Sequence, residues 1–305
     1  MAKLYVYDSY ENRMLVYNNL NENDPMPYSY GSTLSVREFR GSSNARVLWT
    51  TTRAMEAWNL TRRRYGAGIP VGYAFKRIWE GGHGTASQHY AGVAFDVGQG
   101  TSSAIRQRIH AAATATRAWG YVEPLSMTPT WVHFDRRYGT PACSGTTSGY
   151  PTCRRGDKNT YVLILQDALN ALGYSTKTLD GAFGKNTYAA LRAAQRSFSL
   201  TADGVCGCNT WKKLTSAVVG IGLDCTSATV VLTDEAVVAL WGPRSFFEGL
   251  PDALLSAVVT FFAGDRSANA PLSPLDCTLM PGEGRTHVDA PYCGDRGNVR
   301  ITDGG

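Results

Sequence analysis

The chain has 305 residues, a formal net charge of +5 and an apolar content of 43%, which together predict two or three globular domains with substantial cores. The mild positive charge suits an acidic polymer, but it is too weak and too dispersed to indicate nucleic-acid binding. The first ten residues lack the basic start and apolar run of a signal peptide. Residues 250–264 are apolar but too few for a membrane span, so we expect no membrane insertion.

The first 142 residues contain signals for both strands and helices. Two β-rich runs around a polar turn predict a hairpin over residues 3–19. Residues 51–66 predict a helix that ends at Gly66, and residues 102–120 predict a second helix with one apolar face, a serine at its start and Gly120 after its end. We therefore expect an α+β domain over residues 1–142, with a small antiparallel sheet and flanking helices.

A segment rich in Gly, Ser, Thr and Pro, residues 143–157, predicts a linker. Residues 158–217 then show three helical segments separated by two similar turns, "LDGAFG" and "ADGVCG". Asp-Gly supplies the positive backbone angle that a tight turn requires. This pattern predicts an all-α three-helix module with an internal two-fold repeat.

The last region, residues 218–305, is predicted to be mainly helical, with helices at 233–242 and 246–262 and an irregular tail from 267 onward. His287 and Asp289 form an H-x-D pair that we expect in a surface loop, because no second histidine lies nearby. No function follows from this region, and self-association or docking is a role open to it.

The chain has seven cysteines, an odd number, so at least one is unpaired within the chain. Cys143 and Cys153 bracket the linker, and their placement suggests a disulfide. Cys206 and Cys208 are too close together for an ordinary bridge with each other. The paired spacing of a cysteine zinc site is absent.

The stretch "SQHYAGVAFDVG", residues 87–98, indicates a loop that enters a strand. Val93, Phe95 and Val97 alternate and are expected to point into a core, which places Asp96 on the opposite face. A carboxylate in an apolar strand requires a partner. His89 lies in the preceding loop, and glycine at 92 lets the backbone turn, so His89 and Asp96 are expected to converge.

A second stretch, "TWVHFD" at residues 130–135, repeats this pattern, with His133 and Asp135 on one face of a predicted strand. If this strand lies beside the first, His133 joins His89 and Asp96. Two imidazoles and one carboxylate are the protein ligands of an open catalytic zinc site, which keeps water in its fourth position. The reaction class that such a site predicts is hydrolysis, most naturally of an amide.

The pattern SxHxxGxAxD followed by WxHxD resembles the zinc D-Ala-D-Ala carboxypeptidase family, over about residues 30–138. That family includes vancomycin-resistance dipeptidases and phage L-alanyl-D-glutamate endopeptidases. The resemblance implies Zn2+ bound by His89, Asp96 and His133, and a substrate drawn from the peptide stems of peptidoglycan. A family arginine that binds a carboxylate or an oxyanion falls here on Lys76 or Arg77.

The chain departs from the family where many members carry a glutamate as general base, three residues before the last histidine. Thr130 stands there and cannot accept the proton. We expect Asp135 to replace it, with Glu123 as the alternative. Asp135 has a second reading, as a carboxylate that orients a zinc ligand. His83 is expected at the rim, where stabilising the transition state is a further role open to it.

Residues 158–217 resemble the peptidoglycan-binding domain of wall hydrolases, through "LQDALNALGY", "DGAFGKNTYAAL" and "DGVCGCNTW". We therefore expect a zinc peptidoglycan hydrolase, either a D,D-carboxypeptidase or an L-Ala-D-Glu endopeptidase. The missing signal peptide suggests a phage or prophage endolysin released by a holin, or a part of a phage particle. The alternative is a non-catalytic wall-binding or phage tail protein with a vestigial metal site.

Overall fold

The computed structural model describes residues 1–28 and 32–221 in full, followed by the backbone of four short strands. The described fold is mixed α and β, with six α-helices and small sheets. The strands up to residue 221 are β1 (Ala2–Asp8), β2 (Arg13–Leu20), β3 (Val47–Thr51), β4 (Val71–Tyr73), β5 (Ala94–Val97), β6 (Tyr121–Val122) and β7 (Val132–Asp135). The helices are α1 (Val36–Arg40), α2 (Thr52–Tyr65), α3 (Ser103–Thr116), α4 (Thr160–Ala171), α5 (Lys185–Ser197) and α6 (Cys208–Val218).

The predicted N-terminal hairpin is present as β1 and β2, and it belongs to a three-stranded sheet of order β2-β1-β3. β1 pairs antiparallel with β2 and parallel with β3. Leu4 and Val6 of β1 are fully buried, so the hairpin contributes to the core of the domain. The chain passes from β3 directly into α2, whose first turn is capped by the Thr51 hydroxyl.

The second sheet is antiparallel and has the order β4-β5-β7-β6. One of its faces packs into the core through Phe95, Val97, Val132 and Phe134, all of which are fully buried. The apolar alternation read from the sequence is therefore the alternation of the folded strands. The opposite face of this sheet carries polar side chains.

Helix α3 is shorter than the predicted 102–120. It begins after the Ser102 cap and ends at Thr116, because Arg117 adopts the left-handed conformation with φ 53°. Trp119 thus lies beyond the helix, although it still packs on Phe134 with ring centroids 4.4 Å apart. Its apolar character reflects burial against the sheet, and the helical period assigned it to the wrong element.

The three-helix module contains α4, α5 and α6, and two buried glutamines brace its repeated turns. The Gln166 amide nitrogen donates to Asp180 Oδ1 (2.9 Å) and its oxygen accepts from the Gly181 N–H (2.8 Å). Gln195 repeats this arrangement with Asp203 and Gly204, at 2.8 and 2.9 Å. The two-fold repeat in the sequence is therefore a repeat of hydrogen bonding as well as of helices.

The segment predicted as a linker folds back onto the module. Cys143 forms a disulfide with Cys208, so the suggested bridge between Cys143 and Cys153 is wrong. Cys153 instead pairs with Cys206 through two backbone hydrogen bonds of 3.1 and 2.8 Å, and both thiols are free and buried. The pairing could not be read from sequence spacing because it depends on how the linker returns to the start of α6.

Beyond residue 221 the described backbone forms a four-stranded antiparallel sheet. Its strands are β8 (Ser227–Val231), β9 (Val258–Phe262), β10 (Thr286–Asp289) and β11 (Asn298–Thr302), in the order β10-β11-β9-β8. The predicted helix over 246–262 is wrong for residues 258–262, where β-branched and aromatic side chains favour a strand.

His287 and Asp289, expected in a loop, lie on strand β10. The predicted helix at 233–242 and Cys225, Cys277 and Cys293 lie outside the described residues. Among the helices that are described, none is both long enough and apolar enough to cross a bilayer.

Replacing a bracing glutamine should destabilise the module strongly. Gln195→Leu removes the amide that bonds the Asp203 carboxylate, the buried Thr210 hydroxyl and two backbone groups, among them the buried Gly204 N–H, so we expect a loss of about 3 kcal/mol in unfolding free energy. Denaturant unfolding of the full chain measures it. Gln107→Leu, on the exposed side of α3, is the matched control and should change stability by less than about 0.5 kcal/mol. Equal effects of both substitutions would refute the bracing role.

Candidate metal centre

The register of the second sheet sets Asp96 directly opposite His133. The pairs Phe95–Phe134 and Asp96–His133 are neighbours along β5 and β7. Since the phenylalanines face the core, the carboxylate and the imidazole share the polar face. The structure thus brings together two of the residues that the sequence singled out, although they are 37 positions apart.

His89 reaches the same face from a loop that is docked on β3. Gly92 has φ 67°, and a Cβ there would lie 1.8 Å from the Trp49 carbonyl oxygen, so only glycine permits this approach. The Thr50 hydroxyl donates to the Gly92 carbonyl (2.7 Å), and the Trp49 indole donates to the Tyr90 carbonyl (2.8 Å). The loop before β5 is therefore held close to β3.

Each of the two histidine rings is held in place by contacts with neighbouring residues. His89 Nδ1 bonds the Ala74 carbonyl (3.2 Å), which makes Nδ1 the protonated nitrogen and leaves the lone pair on Nε2. That Nε2 lies 3.3 Å from Asp96 Oδ2. His133 donates from Nδ1 to Asp96 Oδ1 (2.7 Å) and from Nε2 to Asp135 Oδ2 (3.2 Å). Both rings are thereby fixed around the Asp96 carboxylate.

Burial and hydrogen bonding act in opposite directions on this group. Burial alone would raise the pKa of the Asp96 carboxyl, but the hydrogen bond from His133 and the nearby His89 ring outweigh burial and lower that pKa. Burial alone would lower the pKa of His133, whereas its bonds to Asp135 and Asp96 outweigh burial and raise the pKa to about 9. At neutral pH the pair is therefore ionised when no metal is present.

His83, His89 and Asp96 are the described residues whose ligand atoms lie close enough together to hold a divalent metal. Ligand atoms at zinc distances of about 2.0–2.1 Å stand about 3.3 Å apart at the edges of a tetrahedron, which matches the 3.3 Å between His89 Nε2 and Asp96 Oδ2. His89 Nε2 is buried without a hydrogen-bond partner among the described residues, and an ion would satisfy it. The bonds to Ala74 and Asp135 are the outer contacts that orient metal-bound histidines in proteins.

His83 lies deeper than the rim position expected for it. Its ring stacks on His89 with centroids 4.2 Å apart, and Tyr73 contacts it edge-on at 4.5 Å. The ligand atoms of His83, His89 and Asp96 all lie within 4.8 Å of one another. Burial, together with the adjacent His89, lowers the pKa of His83 to about 4. A neutral third imidazole therefore borders the site.

Asp135, the favoured general base, is fully buried and bound by a second charged group. Arg137 contacts it through two nitrogens, at 2.7 and 2.5 Å, a partner that the sequence reasoning missed. Burial alone would raise the pKa of Asp135, but the hydrogen bonds from Arg137 and His133 outweigh it and lower that pKa. The structure thus places Asp135 behind His133, in the geometry of an orienting carboxylate.

Glu123, the alternative base, lies on the other side of His133. Its N–H donates to the His133 carbonyl (2.9 Å), so pairing continues one residue beyond β6. Val122 packs in the core, and strand alternation therefore directs Glu123 to the face of His133. Its side chain is only partly buried.

The two candidate cations have different surroundings. Arg77 is buried and forms a two-pronged ion pair with Asp167 of α4, through Nε at 2.8 Å and Nη2 at 2.5 Å. Lys76 has its ammonium 3.9 Å from Glu80 and 3.3 Å from the Ser42 carbonyl, and its charge acts on His83. Lys76 therefore has the better access to the site, while Arg77 is bound to the module.

Comparison with known proteins identifies the three-helix module. Residues 158–214 match the family model described as "Putative peptidoglycan binding domain", so a peptidoglycan-binding domain is present and supports peptidoglycan as a partner.

Two curated relatives match by sequence. The chain is 45% identical over 53 residues to the N-acetylmuramoyl-L-alanine amidase CwlM of Mycobacterium tuberculosis, covering 17% of this chain and 13% of that protein. It is 41% identical over 64 residues to a spore cortex-lytic enzyme of Bacillus cereus, covering 21% of this chain and 25% of that protein.

A solved structure, the crystal structure of the SleB N-terminal domain, is 39% identical and covers 22% of this chain and 92% of that chain, with a TM-score of 0.22. The chain thus spans a quarter or less of the two curated relatives, over the short binding-domain segment. The family model and the two curated relatives support a peptidoglycan-related function.

Zinc affinity should fall as the pH falls. The pKa of metal-free His133 is about 9, so below that pH a metal must displace its proton. We expect affinity to drop about tenfold for each unit between pH 8 and pH 6, with at least about one proton released per ion. Calorimetry in buffers of different ionisation enthalpy measures both quantities. Binding that is independent of pH would show that His133 is not a ligand.

Proposed function

We propose that this protein is a zinc-dependent peptidoglycan hydrolase that cleaves an amide bond in the peptide stem. The observation that carries the proposal is the convergence of His89 Nε2 and His133 Nδ1 on the Asp96 carboxylate, with the other nitrogen of each ring already bonded. Two histidines held in fixed orientation at 3.3 and 2.7 Å are the donor set of a catalytic metal.

The protein's own side chains have distinct roles in the proposed hydrolysis. Bound Zn2+ would supply hydroxide near neutral pH and polarise the amide carbonyl. Glu123 accepts the proton of the attacking water and returns it to the leaving amine, since it is the partly exposed acid on the His133 face. Asp135 holds the His133 ring, and Arg137 keeps Asp135 ionised. Lys76 binds a substrate carboxylate or the developing oxyanion.

The attached domain supports peptidoglycan as the substrate polymer. A module that binds the polymer raises the concentration of cleavable bonds near the site. The named relatives are a muramoyl-alanine amidase and a cortex-lytic enzyme, so the same kind of domain occurs in other proteins of the wall. A D,D-carboxypeptidase and an L-Ala-D-Glu endopeptidase both fit the site, in the setting of a phage or prophage endolysin.

One observation favours a second candidate, a non-catalytic wall-binding or phage tail protein. Thr130 occupies the position where many members of the resembled family carry their general base, and Asp135 is already bound to Arg137. If Glu123 does not act as the base, the centre would bind a metal without turnover. Digestion of the substrate separates the two functions.

Purified muropeptides should lose a peptide fragment on incubation with the protein, and a chelator should abolish this until zinc is restored. Mass spectrometry identifies the product. Release of one terminal D-alanine indicates a carboxypeptidase, and release of a longer peptide indicates an endopeptidase. His89→Ala is the control for activity of another origin. Intact muropeptides, with binding to the polymer retained, would support the non-catalytic candidate.

Substitutions of Glu123 and Asp135 should have different effects when zinc binding and turnover are both measured. Glu123→Gln should lower kcat by about 10²–10⁴-fold with zinc content unchanged, because it removes only a proton acceptor. Asp135→Asn should weaken zinc affinity by about 10–100-fold, because it releases a ligand. Glu11→Gln, in the exposed turn of the hairpin, is the matched control. An active Glu123→Gln variant beside an inactive Asp135→Asn variant that keeps its zinc would reverse the assignment.

A further inference from the structure

The loop that carries His83 and His89 contacts the peptidoglycan-binding module or the segments packed on it at its start, in its middle and at its end. We call residues 77–90 the histidine loop. At its start, the Arg77 guanidinium is paired with Asp167 of α4, and the two residues are 5% and 2% exposed. Such a buried pair is costly to break because the remaining charge would stay desolvated. The first residue of the loop is therefore fixed to the module.

The middle of the histidine loop meets the end of α6. Gly81 has φ +69°, and a Cβ on it would lie 2.6 Å from the Gly220 Cα. No side chain fits between these two backbones, so the turn two residues before His83 rests on the segment that follows α6.

The end of the histidine loop is held by two tyrosine hydroxyls. Gln88, which directly precedes His89 and is buried, accepts a hydrogen bond from Tyr161 of α4 (3.0 Å). The Tyr150 hydroxyl donates to the Ser87 carbonyl (2.9 Å), and the Tyr150 ring packs on Trp211 of α6 at 5.0 Å. The two residues before His89 are thus bonded to the module through the Gln88 side chain and to the linker through the Ser87 carbonyl.

Apolar packing closes the space between these polar contacts. Ile78, Tyr90 and Ala91 belong to the same buried cluster as Val162 and Leu165 of α4. The loop therefore has protein on the side away from the metal site. A metal centre needs its ligands held to within about 0.5 Å, and here the module supplies that support.

We propose that the peptidoglycan-binding module is a positioning element of the metal centre, acting on His89 through Tyr161 and through Tyr150 of the linker packed on it. The inference rests on the proposed function, because it concerns the affinity of the same centre. A module that acted only as a tether would leave that affinity unchanged when its contacts are altered. In this structure the hydroxyls of Tyr161 and Tyr150 set the position of the backbone that presents His89.

The test uses the full chain and three tyrosine-to-phenylalanine variants. Tyr161→Phe and Tyr150→Phe each remove one hydroxyl that bonds the histidine loop. Tyr138→Phe is the matched control, since its ring packs on Tyr161 at 4.5 Å while its hydroxyl bonds Thr160 within the module (2.7 Å). Zinc affinity is measured by competition with a chromophoric chelator, and thermal unfolding of the metal-free forms is recorded beside it.

We expect Tyr161→Phe and Tyr150→Phe each to weaken zinc affinity by about fivefold, and the double variant by tenfold or more, as for other contacts outside the ligands. Tyr138→Phe should stay within about twofold of the parent even if its unfolding temperature falls equally. Because Tyr161→Phe also removes an acceptor of the Tyr138 N–H (3.2 Å), Gln88→Met tests the same contact from the loop side.

The outcomes separate this inference from the proposed function. If the parent and His89→Ala bind zinc equally, the metal centre itself is refuted. If the parent binds zinc, His89→Ala does not, and all the tyrosine variants and Gln88→Met match the parent, the centre stands and the positioning role is overturned. Weaker binding by the loop-contacting variants alone supports the role.

Discussion

The candidate site depends on the register in which β5 pairs with β7. A shift of one residue would turn Asp96 and His133 into the core and expose Phe95 and Phe134, because side chains alternate between the two faces of a strand. The four buried apolar residues Phe95, Val97, Val132 and Phe134 oppose that shift. Hydrophobic burial therefore fixes the polar geometry of the site, although none of these residues takes part in the chemistry.

The polar face is expensive to build, since it withdraws ionisable groups from water. Asp135 and His89 are almost fully buried, and such groups are tolerated only when their charges and hydrogen-bonding atoms find partners. Arg137 compensates Asp135, and Ala74 satisfies one nitrogen of His89. His89 Nε2 is left buried and unpartnered within the described part of the chain. His83 Nε2, on the ring stacked against His89, is left in the same state.

Sequence reasoning reached the local parts of this arrangement. Period-two alternation identified the faces of β5 and β7, and the glycine at 92 was expected to turn the loop, because both follow from neighbours along the chain. The length of α3 was misjudged because Trp119 is buried by the sheet. The strand at 258–262 was predicted as a helix because a short apolar run is compatible with either a buried strand or a buried helix.

Contacts between residues that are far apart in the chain could not be predicted from local sequence patterns. Arg77 and Asp167 are 90 residues apart, and nothing in either local pattern names the other. The same holds for the disulfide between Cys143 and Cys208, separated by 65 residues. A basic residue upstream of a catalytic histidine suggests a substrate contact, and only the folded chain shows that its charge is already neutralised. Lys76 thereby becomes the better candidate for that contact.

Composition suggests a flexible connection between the two parts of the chain, whereas the structure shows a packed one. Gly, Ser, Thr and Pro in residues 143–157 predict a flexible connection, yet this segment is joined to α6 by a disulfide and by backbone pairing at Cys153. Flexibility inferred from composition assumes that the segment has nothing to bind. Here the module binds it, and the histidine loop packs against the same helices. The peptidoglycan-binding domain and the candidate site therefore share a core, so a substitution in one is expected to affect the structure of the other.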